Sequence, residues 1–264
     1  MAKSWWGPSP TRTLCASKSW EKTMANPALQ DKRLSTIRAD HTSGKVMTKR
    51  GVFDALAMFA ALLTVGAIAG WIESSRSAGP SPGILMVSLL GSLVLSLVII
   101  RAPRLARSLG FVYSLVEGFL VGTISQVYNA QYHGIVLEAV GVTAGVALGV
   151  WFLYGTGVIK VTSKVYRVVG AATLGALAFY GVTLLLAVFG GPNLDGGGGL
   201  LGVGISLVLA LIAAANFLVD LDRVDQLVAV GADAQYDWYM AFAMMLSLIW
   251  LYLEVLNLLG KGRR

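Results

Sequence analysis

Seven apolar stretches of roughly twenty residues each, separated by short polar gaps, constrain this chain more than any other feature. They cover residues 53–72, 83–100, 109–128, 134–155, 168–189, 200–220 and 238–259. A helix rises 1.5 Å per residue, so about 20 residues cross the roughly 30 Å of hydrocarbon in a bilayer. Each stretch therefore reads as one membrane-crossing helix, and the chain as an all-α integral membrane protein with seven transmembrane helices. The gap "ESSRSAGPSP" has the Pro and Gly of a turn, and "GGPNLDGGGG" reads as a flexible loop. That glycine run lacks the Lys-Ser/Thr of a phosphate-binding loop. Small residues recur inside the stretches, at Gly66 and Gly70, Gly118 and Gly122, Gly141, Gly145 and Gly149, and Gly202 and Gly204. Small residues let helix backbones approach closely, and ordinary helix packing accounts for them.

Composition supports the membrane reading. Of 264 residues, 56% are hydrophobic and only 13% are charged, about half the usual charged share of a soluble domain. The single cysteine, Cys15, excludes an intramolecular disulfide framework and a Cys-rich metal site. The net charge of +7 is not a nucleic-acid signal, because ten of the 21 Lys and Arg lie in residues 1–52 and most of the others fill gaps between apolar stretches. Basic residues placed this way meet anionic lipid and set topology. Residues 1–50 read as a basic, poorly ordered cytoplasmic tail and 51–264 as the transmembrane domain. "MANPALQDKRL", from Met24, resembles a natural start, and the Trp5-Trp6 pair ahead of it reads as tail rather than as an interfacial anchor. No early apolar stretch is long enough for a cleaved leader.

The gap after the second stretch holds Arg101, Arg104 and Arg107, and the gap after the fourth holds Lys160, Lys164 and Arg167. The alternate gaps hold Arg76, no Lys or Arg, and Asp195. The basic side is the cytoplasmic side, so the N-terminus is expected inside and, after seven crossings, the C-terminus outside. The final "KGRR" conflicts with that placement.

Carboxylates inside apolar stretches are costly and mark functional sites by default. On this topology Asp220 closes the sixth stretch near the inner face and Asp237 opens the seventh at the same face. Glu117 falls near mid-membrane, with Glu138 and Glu254 toward the outer face. Facing one interior, these five acids would form a ladder able to pass a hard cation or relay protons, since calcium takes oxygen ligands. Asp220 and Glu254 are the residues expected to hold calcium transiently; no resident cofactor is expected. Burial favours the neutral form of a carboxyl, and two adjacent carboxyls tend to share one proton. A shared proton would hold such a gate shut and ionisation would open it, with Arg101 or Arg104 as a latch for the charged form. The alternative for Asp220 is simple contact with water at a helix end, and for Glu138 and Glu254 snorkelling outward. Asp222, Asp225 and Asp233 read as a solvated loop. Asn216 and Gln126 are expected to bond between helices.

These acids sit in a frame that resembles a known family. "YSLVEGFLVGTISQVYNAQYHGIVLEAV", "LYGTGVIKVTSKVYRVVGAATLG", "NFLVDLDRVD" and "YDWYMAFAMMLSLIWLYLEVLNLL" resemble the bacterial branch of the Bax inhibitor family, the transmembrane Bax inhibitor motif proteins, over residues 45–260. The resemblance implies six helices surrounding a central seventh. It also implies a pH-sensitive calcium leak across a bacterial plasma membrane, controlled by one acid on the sixth helix and one on the seventh. The sixth-helix acid matches Asp220, in an Asp-x-x-x-Ile/Val pattern. The family's "LYLD" resembles "LYLE" here and points to Glu254. Depth points elsewhere, because Glu254 lies roughly 24 Å along a helix that starts at the face where Asp220 ends. Depth thus pairs Asp220 with Asp237 at an inner gate, and Glu254 with Glu138 at an outer vestibule.

Other functions compete. An intramembrane aspartyl protease would need Gly-x-Gly-Asp at one acid, and Asp220 follows "NFLV". His41 and His133 are the only histidines and form no His-Glu-x-x-His site. No enzymatic activity is expected. Some bacterial relatives modulate a membrane-bound protease, for which the basic tail would be the handle. A proton-coupled transporter is a further alternative, though no proline interrupts the stretches.

Overall fold

The computed structural model describes residues 44–76, 82–190, 197 and 199–263. The expected tail before residue 44, with Trp5, Trp6, Cys15, Met24 and His41, and the loop residue Asp195, lie outside the described residues. The elements are α1 (Lys49–Arg76), α2 (Pro82–Arg101), a 3₁₀ turn (Pro103–Leu105), α3 (Ala106–Gln131), α4 (Ile135–Gly155), α5 (Ser163–Val188), α6 (Leu200–Ala229) and α7 (Gln235–Gly262). All seven α-helices are long and apolar enough to cross a bilayer, so the protein is a multi-pass membrane protein. Most of the described large apolar side chains on α2 and α5 are exposed, as expected of helices that face lipid.

The helix ends follow local chemistry. Thr48 caps α1 by accepting the Gly51 N–H at 2.9 Å, and Thr162 caps α5 by accepting the Val165 N–H at 3.5 Å, each meeting a donor the helix leaves unpaired. Pro103 opens the 3₁₀ turn, where its missing N–H costs nothing. Gly231, at φ 68°, supplies the left-handed residue that ends α6.

α7 is the central helix. α1, α3, α4 and α6 pack directly on it, α2 packs on α3, and α5 packs on α6. Phe59 of α1, Phe111 of α3 and Trp238 of α7 meet edge to face at 5.4 to 5.7 Å. The Arg107 guanidinium sits 5.1 Å from the Trp238 ring centre. This group locks three helices together at the end of the bundle where α1 begins, called here the N-face.

Among the described glycines, close approach of backbone to backbone joins one helix pair. On α1 and α3, a Cβ at Gly66, Gly70, Gly118 or Gly122 would overlap the carbonyl of Leu115, Phe119, Leu63 or Ala67, respectively. Gly141, Gly145, Gly149 and Gly204 face open space instead. The small residues thus divide by role, and the α1–α3 set brings two helix backbones together. Gln126 accepts the Ser74 hydroxyl at 2.8 Å across the same pair, and Asn216 donates to Thr173 at 2.7 Å between α6 and α5, the interhelical bonds expected of both. Replacing Gly122 with Leu is expected to force α1 from α3 and cost about 3 kcal/mol or more. Gly145→Ala should stay within about 0.5 kcal/mol of wild type. Thermal unfolding of the detergent-solubilised protein compares the two.

Candidate functional site

The polar interior lies along the seam between α6 and α7. Ser247, Glu254 and Lys261 recur at seven-residue spacing on α7, and seven residues make nearly two helical turns, so they share one face. Ser206, Ala213 and Asp220 repeat the spacing on antiparallel α6. The two stripes meet in register. Ser247 donates its hydroxyl to Asp220 Oδ2 at 2.6 Å, and Lys261 Nζ donates to Ser206 Oγ at 3.1 Å. The same register sets Glu254 opposite Ala213, which is fully buried. Asp220 and Glu254 are only 6% and 4% exposed, so neither reaches bulk water in this conformation.

Glu254 is held mainly from its other side. Tyr180 of α5 donates to Glu254 Oε1, as does Trp250 Nε1 at 3.3 Å. Oε2 is buried with no hydrogen-bond partner. The methyl side chain of Ala213 can offer it no donor. Beyond it, Asn257 donates to Ser206 Oγ at 3.3 Å and accepts the Tyr128 hydroxyl at 3.3 Å. The seam therefore carries a carboxylate, a half-satisfied carboxylate and an ammonium at successive levels, roughly 10 Å apart.

Helix length changes the depth of Asp220. α6 continues to Ala229, nine residues past Asp220, which puts this acid roughly 14 Å inside the helix end. Ser247 lies twelve residues into α7. Asp220 and Glu254 are thus nearer than the expected separation, yet still on different levels. The expected pair of Asp220 with Asp237 does not form. Asp237 sits ten residues before Ser247, roughly 15 Å away along α7, and accepts the Thr48 N–H at 3.0 Å. It ties the start of α1 to the start of α7. Two further bonds reinforce this tie, Met47 N–H to the Ala232 carbonyl at 2.7 Å and Ala234 N–H to the Lys45 carbonyl at 3.0 Å.

The other expected partners also separate. Glu138 is claimed by Arg263, which donates to both carboxylate oxygens at 2.6 and 2.7 Å, so Glu138 and Glu254 make no vestibule pair. Glu117 bonds with Ser92 of α2 and Tyr113 of its own helix, a setting distinct from that of Asp220. Arg101 and Arg104 are exposed, and the cation that acts on Asp220 is Arg223, one turn further along α6. The continuous ladder of five acids is therefore absent: neighbouring helices take its outer members as structural partners. Among the described residues, no three His, Cys, Asp or Glu side chains converge to hold a metal ion. Asp220 and Glu254 do not form a joint calcium site in this conformation.

Asp222 and Asp225 do not lie in a loop. They occupy the last turns of α6 and knit the N-face together. Asp222 accepts from the Tyr154 hydroxyl at 3.1 Å, the Tyr166 hydroxyl at 2.7 Å and Gln226 Nε2 at 2.5 Å. Asp225 accepts from Tyr154 at 3.2 Å and pairs with Lys49 Nζ at 2.8 Å. Asp233 is fully buried in the α6–α7 turn and accepts the Gln235 N–H at 2.9 Å. Apolar length ends the sixth stretch at Asp220 and so does not reveal this cluster. Ser247 and Lys261 are equally silent in hydropathy, and their signal is the seven-residue spacing through Glu254.

A seven-helix membrane protein with a buried acid on its penultimate helix, facing a hydroxyl on its central last helix, is the class this fold and seam define. The sequence profile of the family described as Bax inhibitor 1 like matches residues 21–264, and the chain belongs to that family. No curated protein matches the chain. Asp237→Ala removes the acceptor at the start of α1 and is expected to cost about 1 kcal/mol. Hydrogen exchange of the first-turn amides of α1 should then quicken about fivefold if these exchange by local opening.

Proposed function

We propose that the protein is a cation leak of the bacterial plasma membrane, with calcium among the ions it passes, and that Asp220 sets its pH response. The observation that carries this reading is the burial of Asp220, well inside the end of α6, against Ser247 of the central helix. A neutral carboxyl can stay in a dry seam with one hydroxyl partner. An ionised one calls for water or a cation beyond what exposed Arg223, one turn away, supplies, because a poorly compensated buried charge is far costlier than a buried hydrogen-bonded acid. Loss of the proton from Asp220 thus favours opening of the α6–α7 seam and entry of a cation, and the conformation described is the closed one.

Glu254 is the next oxygen site along the seam. Its partnerless Oε2 is available to an ion arriving from Asp220. Because Asp220 faces a hydroxyl rather than a second carboxyl, the proton that closes the gate belongs to one acid and is not shared by two. The sign of the response follows: flux falls as pH falls and Asp220 becomes protonated.

The N-terminus is cytoplasmic in this proposal, and the C-terminal end of α7 lies outside. The basic end that argued against this placement is engaged in the fold. Lys261 is buried against Ser206 and Arg263 is paired with Glu138, so both charges have partners on that side.

Calcium flux into vesicles carrying the reconstituted full chain tests the reading. Wild type should conduct more as pH rises. Asp220→Asn, which keeps the shape but cannot ionise, should lose most of the flux and flatten the pH response. Unchanged flux and pH response in that variant would refute the gate.

A further inference from the structure

The bundle is open sideways between α1 and α4. A cleft of about 660 Å³ follows α1 from Phe53 to Trp71, a length of roughly 27 Å at helical rise. α4 forms the opposite wall at Val140, and the central helix forms part of the floor at Leu248. The Ser125 and Tyr252 hydroxyls at its base bond one another at 2.7 Å, which leaves the cleft apolar along its length. At the N-face a second cavity of about 550 Å³ lies beside it, with Phe53 bordering both. This second cavity is lined by Lys49, Lys160, Asp222 and Asp225.

We propose that cleft and cavity together bind one phospholipid whose headgroup carries a phosphate and a primary ammonium, a phosphatidylethanolamine. One acyl chain lies between α1 and α4, and the headgroup occupies the charged cavity. The cleft is longer than the roughly 15 Å of hydrocarbon that belongs to one leaflet, so it accommodates a full chain. Its walls are transmembrane helices, which makes lipid the solvent in contact with it.

Chain burial alone selects nothing, because leaving a bilayer for an apolar cleft brings no hydrophobic gain. Selection must come from the headgroup. The cavity presents two ammonium groups and two carboxylates, the complement of a zwitterion with N–H donors. The phosphate would face Lys49 and Lys160, and the ammonium would face Asp225. The Lys49–Asp225 pair is 59% and 36% exposed, and an exposed ion pair of this kind is worth little, so a headgroup can exchange into it. A phosphatidylglycerol brings no cation for the carboxylates. A phosphatidylcholine brings a cation with no N–H to donate.

The test is native mass spectrometry of the full chain, titrated with phosphatidylethanolamine, phosphatidylglycerol and phosphatidylcholine of identical acyl chains. Phosphatidylethanolamine should be retained about threefold or more over either competitor. Asp225→Asn should erase that preference. Ala60→Trp, which fills the cleft from its lipid-facing wall, should lower retention of all three lipids. Equal retention of the three by wild type would overturn the proposal, as would a preference that survives Asp225→Asn. The outcome is independent of whether the seam conducts.

Discussion

The seven-residue register between α6 and α7 governs the interior of this protein. In lipid, apolar side chains gain little from helix contact, so hydrogen bonds and close packing hold helices together. Here the bonds of Asp220 with Ser247 and of Ser206 with Lys261 fix two antiparallel helices at levels four helical turns apart along each. Once those ends are set, Ala213 falls opposite Glu254 and cannot satisfy it. The incompletely bonded carboxylate follows from the register, and α5 supplies Tyr180 as its main partner from outside the seam.

The N-face is held by a second set of polar contacts of a different kind. Asp222 and Asp225 gather Lys49, Tyr154, Tyr166 and Gln226 from four helices, and Asp237 fastens the segment before α1 to the start of α7. These acids work as structural ties near the membrane boundary. Asp220, two residues before Asp222, is buried instead with the Ser247 hydroxyl as its hydrogen-bond partner. The division is physical: a carboxylate with several donors is better stabilised as a charge than a buried one with a single hydroxyl partner.

The lateral cleft depends on the same arrangement. α3 lies close against α1 because four glycines allow carbonyl contact, while α4 meets the central helix further round. The space left between α1 and α4 exposes part of α7 to lipid. The charged cavity near its end lies beside the N-face ties, and the lipid proposed for it would draw on Lys49 and Asp225, whose exposed pair adds little to the bundle itself.

The number of helices and their membrane-spanning character were legible in the chain itself because apolar length limits what can cross a bilayer, and the family was legible in the motifs that surround the acids. Asp220 and Glu254 stood out as acids in apolar surroundings for the same reason. Their partners were not legible from the stretches as first bounded. Hydropathy ends the sixth stretch at the first acid, whereas hydrogen bonding carries the helix on to Ala229, because Tyr154, Tyr166 and Lys49 meet the charges that follow. That extension sets Asp220 roughly 14 Å inside the end of its helix and separates it from Asp237. The repeat of Ser247, Glu254 and Lys261 was present in the sequence, but spacing on one helix does not say which helix it faces. Tertiary packing decided that, through the register of α6 on α7, and with it which acid meets a hydroxyl, which meets a methyl group and which meets an arginine.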